Sequence, residues 1–194
     1  MTSQATLRAL VCVILSGSGT SGINFRIYGT HIHHGHFARL KTAIRAGRVN
    51  FVVDGEGLAR SHAEASYQPR TNTITMRPSA VRASKDIPIG DQAALVHEAF
   101  HAICDMDRID NLSPTQEESC GALCSGLYVL LQYSKSWAKH ADGPLTSLCK
   151  LVRKTPGMEI WGNPHFDEIY ERVYGIYRAN HTMWGRVSNY RDGL

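Results

Sequence analysis

Apolar residues recur along the chain at two spacings, which predict strands early in the sequence and helices later. The uninterrupted apolar run at residues 9–15 is far too short to span a bilayer. It predicts a first strand or a short helix, although a weak signal segment has the same pattern. A Gly/Ser-rich break at residues 16–22 follows, so residues 1–22 are treated as an extension of the main domain.

Alternating or continuous apolar residues predict three strands, over residues 23–27, 49–53 and 71–76. Between the first two strands, Phe37, Leu40 and Ile44 stand at helical spacing, and Gly47 is a suitable stop. These positions predict a helix over residues 36–45.

The second half of the chain has helical periodicity, which predicts helices over residues 91–103, 114–131 and 164–180. Asp91 is expected to cap the first of these helices, and Ser113 or Pro114 to open the second. Strands followed by helices predict a single α+β domain covering residues 1–194.

The composition is that of a globular chain, since 43% of the residues are hydrophobic and 20% are charged. These values exclude disordered and multi-span membrane classes. The net charge of +4 comes from scattered basic residues, so no nucleic-acid partner is indicated. The five cysteines are odd in number and contain no CxxC pair, which argues against a disulfide framework or a zinc ribbon. We expect buried thiols in a reducing compartment.

One short pattern carries a specific chemical expectation. His97, Glu98 and His101 form an HExxH motif inside a predicted helix. Residues i and i+4 lie one turn apart on a helix, so both imidazoles can bind a single metal ion. Glu98 would lie beside that ion, where a carboxylate can deprotonate a metal-bound water. The motif therefore predicts a metal-dependent hydrolytic site with Glu98 as its catalytic base.

A catalytic zinc ion needs a third protein ligand and an open position, and the next predicted helix offers two glutamates. The face that begins at Glu118 carries small residues at Gly121, Ala122, Ser125 and Gly126. Such a face lets two helices approach closely enough for a carboxylate to reach the metal. The row that begins at Glu117 is bulkier, with Cys120, Cys124 and Tyr128. We therefore favour Glu118 as the ligand and keep Glu117 as the alternative.

Asp107, six residues after His101, is a third alternative for this ligand. A motif in which the third ligand follows so closely needs a glycine for the sharp turn, and Cys104 stands at that position. No methionine turn is evident downstream. Asp107 therefore ranks last among the three.

The HExxH helix followed by a helix with a glutamate resembles the gluzincin branch of the zincin metallopeptidases, over roughly residues 71–133. The resemblance implies a small zincin-like domain, in which a short mixed sheet packs on the HExxH helix and further helices lie C-terminal. It implies that Glu98 is the general base and that Zn²⁺ is bound by His97, His101 and Glu118. It also implies that the strand Thr73–Met76 lies beside the cleft and receives an extended peptide.

The chain departs from the larger gluzincins at one position. Ala122 stands four residues after Glu118, where those enzymes carry an aspartate that supports a ligand. Asp105, one turn beyond His101, is a candidate to orient a ligand imidazole instead. Ligand histidines usually bond a carboxylate or carbonyl through their second nitrogen, which is why such a residue is expected.

Hydrolysis of a peptide also needs a group that stabilises the developing oxyanion. Zincins usually supply a Tyr, His or Arg from downstream of the ligands, and no spacing in this chain selects one residue. The candidates in the tail are His165, Tyr170, Tyr174, Tyr177 and His181.

A second histidine cluster lies near the N-terminus. His31, His33 and His36 match the histidines of the metallo-β-lactamase HxHxDH motif, and a predicted strand leads into them. Gly35 replaces the aspartate of that motif, which removes a ligand of the second metal. We therefore interpret residues 31–36 as the end of a strand and the start of a helix. A metallo-β-lactamase-like hydrolase is the lesser alternative.

Together these patterns predict a small zinc-dependent hydrolase, in particular a metallopeptidase acting on a peptide or protein. The alternative is a metal-stabilised binding domain without catalysis, although that role would not require Glu98. The size also suits a secreted or injected toxin or effector, whereas the unpaired cysteines favour the cytoplasm or another reducing compartment. No membrane span is predicted, and the oligomeric state stays open.

Overall fold

The computed structural model describes residues 4–53, 64–77, 87–132 and 143–179. These residues form an α+β structure. The helices are α1 (Gln4–Ser16), α2 (Ser18–Ser21), α3 (His34–Arg45), α4 (Ile89–Met106), α5 (Pro114–Gln132), α6 (Pro144–Lys154) and α7 (Pro164–Ala179). The strands are β1 (Asn24–Ile27), β2 (Thr30–His33), β3 (Asn50–Val53), β4 (Ala65–Gln68), β5 (Thr73–Met76) and β6 (Met158–Glu159). None of the described helices combines the length and apolar character needed to cross a membrane.

The strands form two small mixed sheets, where the sequence analysis predicted one. In the first sheet, β1 lies between an antiparallel β2 and a parallel β6. In the second, β5 lies between a parallel β3 and an antiparallel β4. Because β5 has a neighbour on each side, Thr73–Met76 offers no free edge to a peptide, and that expectation is wrong. Among the described strands, β3 and β4 are the edges of this sheet.

The second sheet is fixed against α4 by alternate side chains. The side chains of Ile74 and Met76 in β5 are fully buried, and those of Ala65 and Tyr67 in β4 are almost fully buried. Both strands pack on α4. Burying a large apolar side chain contributes about 1.5–3 kcal/mol, so this contact holds the sheet firmly on the helix. The predicted packing of a mixed sheet on the HExxH helix is therefore confirmed.

Helices α4 and α5 pack on each other more extensively than any other pair of described elements. They are joined by residues 107–113 and run antiparallel, since early residues of α5 meet late residues of α4. The buried face of α4 is made of apolar side chains, among them Leu95, Val96, Ala99, Phe100 and Ile103. The other side of α5 is covered by α2, α6 and α7. This arrangement holds α5 beside the HExxH motif.

Local hydrogen bonds determine where this helix pair turns. After α4, Arg108 adopts the left-handed conformation with φ of 53°, and the N–H of Ile109 donates to the carbonyl of Cys104 at 2.8 Å. A capping box opens α5, because the N–H of Ser113 donates to Gln116 Oε1 at 2.7 Å and the N–H of Gln116 donates to Ser113 Oγ at 3.3 Å. The box determines the rotation of α5, and with it the direction of the two glutamates that follow.

Most predicted elements are confirmed, with differences at their ends. The apolar run at residues 9–15 lies in helix α1. Asp91 does not cap α4, since the helix begins at Ile89 and Asp91 is buried in its first turn, where it bonds Glu64. Five described elements were not predicted from the sequence: α2, which lies in the predicted Gly/Ser-rich break, and β2, β4, α6 and β6.

All five cysteines are buried and none is in a disulfide within the described structure, as predicted: Cys12, Cys104, Cys120, Cys124 and Cys149. Burial raises the pKa of the Cys120 and Cys124 thiols well above the usual value. Burial also raises the pKa of Cys149, to about 12. These thiols are therefore protonated at neutral pH and pack as small apolar groups.

Candidate metal centre

The three favoured metal ligands meet between α4 and α5. Glu118 Oε2 lies 3.0 Å from His97 Nε2, and Glu118 Oε1 lies 3.5 Å from His101 Nε2. One ligand atom from each of these residues lies within 4.8 Å of the other two. In the parts of the chain that the structure describes, no other group of three His, Cys, Asp or Glu residues comes together in this way. The residues could therefore hold one metal ion between the two helices.

The close approach of the two helices depends on a glycine. A Cβ atom at Gly121 would lie 2.9, 3.0 and 3.1 Å from three ring atoms of His97, so the imidazole rests directly on the backbone of α5. Gly126 faces α6 instead, where a Cβ would lie 3.0 Å from Cys149 Sγ and close to Leu145. The predicted small-residue face is thus confirmed at Gly121 and wrong at Gly126.

The second nitrogen of His101 is held by the other glutamate of α5. His101 Nδ1 lies 2.7 Å from Glu117 Oε1, which is hydrogen-bonding distance. A carboxylate oxygen accepts in such a bond, so Nδ1–H of His101 is the donor, and the other ring nitrogen, Nε2, is directed at Glu118. Glu118 therefore faces both histidines, while Glu117 lies on the far side of His101. This geometry favours Glu118 over Glu117 as the metal ligand.

In the metal-free protein these contacts hold a proton on His101. Burial lowers the pKa of His101, but the hydrogen bonds to Glu117 and Glu118 outweigh this effect and raise the pKa to about 10. Burial raises the pKa of the Glu118 carboxyl, but its hydrogen bonds with His101 and His97 hold that pKa far below the usual range. His101 is therefore a cation at neutral pH. Because metals bind neutral imidazole, metal binding must displace this proton.

Glu98 is oriented by the edge of the second sheet. Its Oε2 accepts a hydrogen bond from the backbone N–H of Tyr67 in β4, at 2.7 Å. This N–H points away from β5, on the side of β4 that pairs with no other described strand. The other oxygen, Oε1, has no hydrogen-bond partner among the described residues. Glu98 thus has one oxygen held in place and one open to a small molecule such as water.

The side chain of Tyr67 ties the same sheet edge to α4. Its hydroxyl lies 2.6 Å from Asp105 Oδ2 and 2.9 Å from Asn72 Oδ1. Burial raises the pKa of the Tyr67 hydroxyl, and the nearby Asp105 raises it further, so the group stays protonated. Asp105 therefore bonds Tyr67 and not a ligand histidine. The expectation that Asp105 orients an imidazole is wrong, and Glu117 occupies that position.

Asp107, the lowest-ranked candidate ligand, lies away from the cluster. Its Oδ2 accepts a hydrogen bond from the guanidinium of Arg39 at 2.7 Å and lies 3.8 Å from His36 Nε2. Both partners belong to α3. Asp107 thus connects the end of α4 to α3, and the alternative in which it binds the metal is wrong.

The structure does not select an oxyanion donor from the tail. The ring of Tyr170 packs on Trp161 with centroids 6.2 Å apart and stacks on Tyr174 at 6.3 Å. Among the described residues, no hydrogen bond, ion pair or ring contact joins His165, Tyr170 or Tyr174 to the metal centre. The remaining candidates lie outside the described part of the chain: the side chain of Tyr177, and His181.

The second histidine cluster forms the start of α3. His33 caps this helix, because its Nδ1 accepts a hydrogen bond from the N–H of Gly35 at 3.1 Å. In return, the N–H of His33 donates to Nδ1 of His36 at 3.3 Å. His31 instead bonds Asn24 Oδ1 through Nε2 at 2.7 Å. The predicted start of a helix at this cluster is confirmed, but the strand that leads into it is a separate strand, β2, and not the end of the first strand. The three histidines do not form a metal group in the described structure.

Replacing His33 with Ala is expected to lower the free energy of unfolding by about 1 kcal/mol, because the cap of α3 is lost. An Asn at this position should recover most of that loss, since its side-chain oxygen is an effective cap. Urea unfolding of both variants measures the effect. Any metal that the unaltered protein binds should be retained by both variants, and its loss from His33→Ala would show that this cluster is the metal site.

No family model matches the sequence, and comparisons with curated proteins and with solved structures find no match. The fit of a metal therefore has to be judged from the residues themselves. Two imidazoles and one carboxylate are a donor set found in catalytic zinc sites, and the carboxylate behind His101 is the support that ligand histidines usually have. The residues present fit a divalent metal with nitrogen and oxygen ligands.

Two features of this site were not predicted from the sequence. Glu117 was considered as a ligand, and not as the partner of His101. Tyr67 was missed because β4 lies in a polar stretch. The sequence pattern that indicates strand β4 is the alternation of Ala65 and Tyr67, which are buried, with Ser66 and Gln68, followed by a proline.

Proposed function

We propose that this chain is a zinc-dependent hydrolase that cleaves peptide bonds, with His97, His101 and Glu118 as metal ligands. The observation that carries the proposal is the placement of Glu98. Its carboxylate lies on the same helix as the two histidines, is oriented by Tyr67 and has one oxygen open. A metal site with a purely structural role has no use for a carboxylate held in this way, whereas a hydrolase needs one as general base.

The residues of the chain have separate roles in this proposal. A zinc ion bound here would supply a Lewis acid and lower the pKa of its water ligand to about 7. Glu98 Oε1 would accept a proton from the attacking water and return it to the leaving amine. Glu98 Oε2 would stay bonded to the N–H of Tyr67, so the carboxylate keeps its orientation while the proton moves.

The free edge of β4 supports an extended peptide as the substrate. Peptides commonly bind such edges by adding a strand through backbone hydrogen bonds. The N–H of Tyr67 on this edge is already bonded to Glu98, so a peptide along β4 would bond the other backbone groups of the edge and meet the catalytic base at Tyr67. In this proposal β4 has the role that was predicted for Thr73–Met76.

The proposal is tested by metal analysis and peptide cleavage with the full chain. The purified protein is expected to bind one zinc ion per chain, and His97→Ala to bind none. His31→Ala is the matched control, because it removes a histidine outside the cluster and should keep its zinc. A peptide library analysed by mass spectrometry should show cleavage that stops with a chelator and returns with added zinc.

Two results would contradict the proposal in different ways. If the protein binds no zinc and no other divalent metal in stoichiometric amount, there is no metal centre. If it binds zinc but cleaves no peptide in the library, the metal-stabilised binding domain is the better description. In that second case chelation should unfold the protein, which circular dichroism detects.

A further inference from the structure

We propose that Glu117 is a positioning residue of the metal centre, which sets the metal affinity by holding His101 in one orientation and one tautomer. This inference rests on the proposed metal site. It concerns a residue that does not touch the metal in the proposed ligand set. The observations that support it are the contacts of His101, the burial of the pair and the contrast with His97.

The imidazole of His101 lies between two glutamates that are neighbours in the sequence. Its Nδ1 is 2.7 Å from Glu117 Oε1, and its Nε2 is 3.5 Å from Glu118 Oε1. Consecutive residues of a helix point about 100° apart, and the two carboxylates accordingly approach the ring from different directions. One therefore reaches the metal side of His101 while the other bonds the back of the ring.

The contact between Glu117 and His101 is largely buried. The side chains are 22% and 14% exposed, so water competes weakly for this hydrogen bond. Among the described residues no other side chain bonds His101 Nδ1. The residue four positions after Glu118 is Ala122, and Asp105 is engaged by Tyr67. Glu117 is therefore the group that can fix the tautomer with Nε2 free for the metal.

The two histidines are held by different means. His97 Nδ1 has no hydrogen-bond partner among the described residues, and its ring is positioned by contact with the backbone at Gly121. His101 is positioned by a charge-assisted hydrogen bond to Glu117. Removing the Glu117 carboxylate should therefore release His101 and leave His97 in place.

The first experiment measures zinc affinity of the full chain by competition with a chromophoric chelator. We expect Glu117→Ala to bind zinc about 10- to 100-fold more weakly, as is typical when the partner of a ligand histidine is removed. Glu117→Gln should lose less, because its amide oxygen still accepts from Nδ1–H. The matched control is Asp105→Asn, which removes a carboxylate one turn from His101 without touching the ring, and its zinc affinity should not change.

The second experiment is a proton NMR measurement of the zinc-loaded protein. A downfield Nδ1–H resonance of His101 is expected in the unaltered protein, at a different shift in Glu117→Gln, and absent in Glu117→Ala because the proton exchanges with water. A role of Glu117 in folding alone would not move this signal. If Glu117→Ala does not fold, the test rests on Glu117→Gln. A zinc affinity and a His101 resonance in Glu117→Gln that equal those of the unaltered protein would overturn the inference.

The outcomes separate this inference from the proposed function. If the unaltered protein binds no zinc, both are overturned. If it binds zinc and Glu117→Ala binds equally tightly, this inference alone is wrong. If Glu117→Gln loses zinc as completely as Glu118→Gln, while the His101 resonance persists, Glu117 is itself a ligand and the positioning role is overturned.

Discussion

Replacing Glu98 with Gln is expected to reduce peptide hydrolysis by about 10²- to 10⁴-fold, the usual contribution of a positioned general base. Gln has the shape of Glu, and its amide oxygen can still accept the hydrogen bond from the N–H of Tyr67. The amide cannot take a proton from water, so the defect should fall on kcat. Steady-state kinetics on a cleaved library peptide, with zinc content measured alongside, checks this result.

The control for this variant is Glu171→Gln, which makes the same change at an exposed position of α7. It should keep full activity. The variant and the control should both retain one zinc ion per chain, because neither residue is a proposed ligand. Full hydrolysis by Glu98→Gln would refute the role of Glu98, and loss of its zinc would show that the variant had changed the site itself.

Replacing Gly121 with Ala is expected to weaken zinc binding by at least about 100-fold, the upper end of the loss seen when only the partner of a ligand histidine is removed. The added methyl carbon would lie 2.9, 3.0 and 3.1 Å from ring atoms of His97, so the imidazole must move. This displaces a direct ligand and not only its support. Chelator competition measures the affinity.

Gly126→Ala is a closely matched control on the same helix. Its methyl carbon would also meet a neighbour closely, at 3.0 Å from Cys149 Sγ, but on the side of α5 that faces α6. Both variants gain the helix propensity of Ala, about 1 kcal/mol. We expect Gly126→Ala to keep the zinc affinity of the unaltered protein. Equal affinities of the two variants would mean that the His97 ring does not need the space at Gly121.

The sequence is sufficient to predict the helix pair that bears the site. The HExxH spacing places two histidines on one face of α4, and the small residue at Gly121 correctly indicates which glutamate faces both of them. The start of α5 can also be predicted, since Ser113 and Gln116 form the capping box that their spacing allows. These features depend on residues within a few turns of each other, so local spacing is enough to predict them.

Contacts between distant segments could not be predicted in the same way. Asp105 and Glu117 were both reasonable partners for a ligand histidine, and only the packing of α5 and β4 decides between them. Similarly, Asp91 has the residue type of a helix cap, but the carboxyl of Glu64 lies beside it and α4 begins earlier. The positions of these groups depend on how sheet and helices meet.

The order of strands in the second sheet also depends on distant segments and could not be predicted from local spacing. The strand Thr73–Met76 was predicted correctly as a strand, but its place in the centre of the sheet depends on β4 and β3. β4 is four residues long and includes polar positions, so its pattern alone is weak. Its importance comes from the N–H of Tyr67, which meets Glu98 across the fold.

The proton held by His101 would compete with a metal ion for the proposed site. In the metal-free protein Glu117 and Glu118 hold a cationic His101 between them, so a metal ion would enter a site that already carries a positive charge. A divalent ion bound at the proposed site would replace the single positive charge of this proton with two. As the pH falls, protons compete more strongly for this position, so an acidified compartment would favour the empty protein and a neutral one the loaded protein.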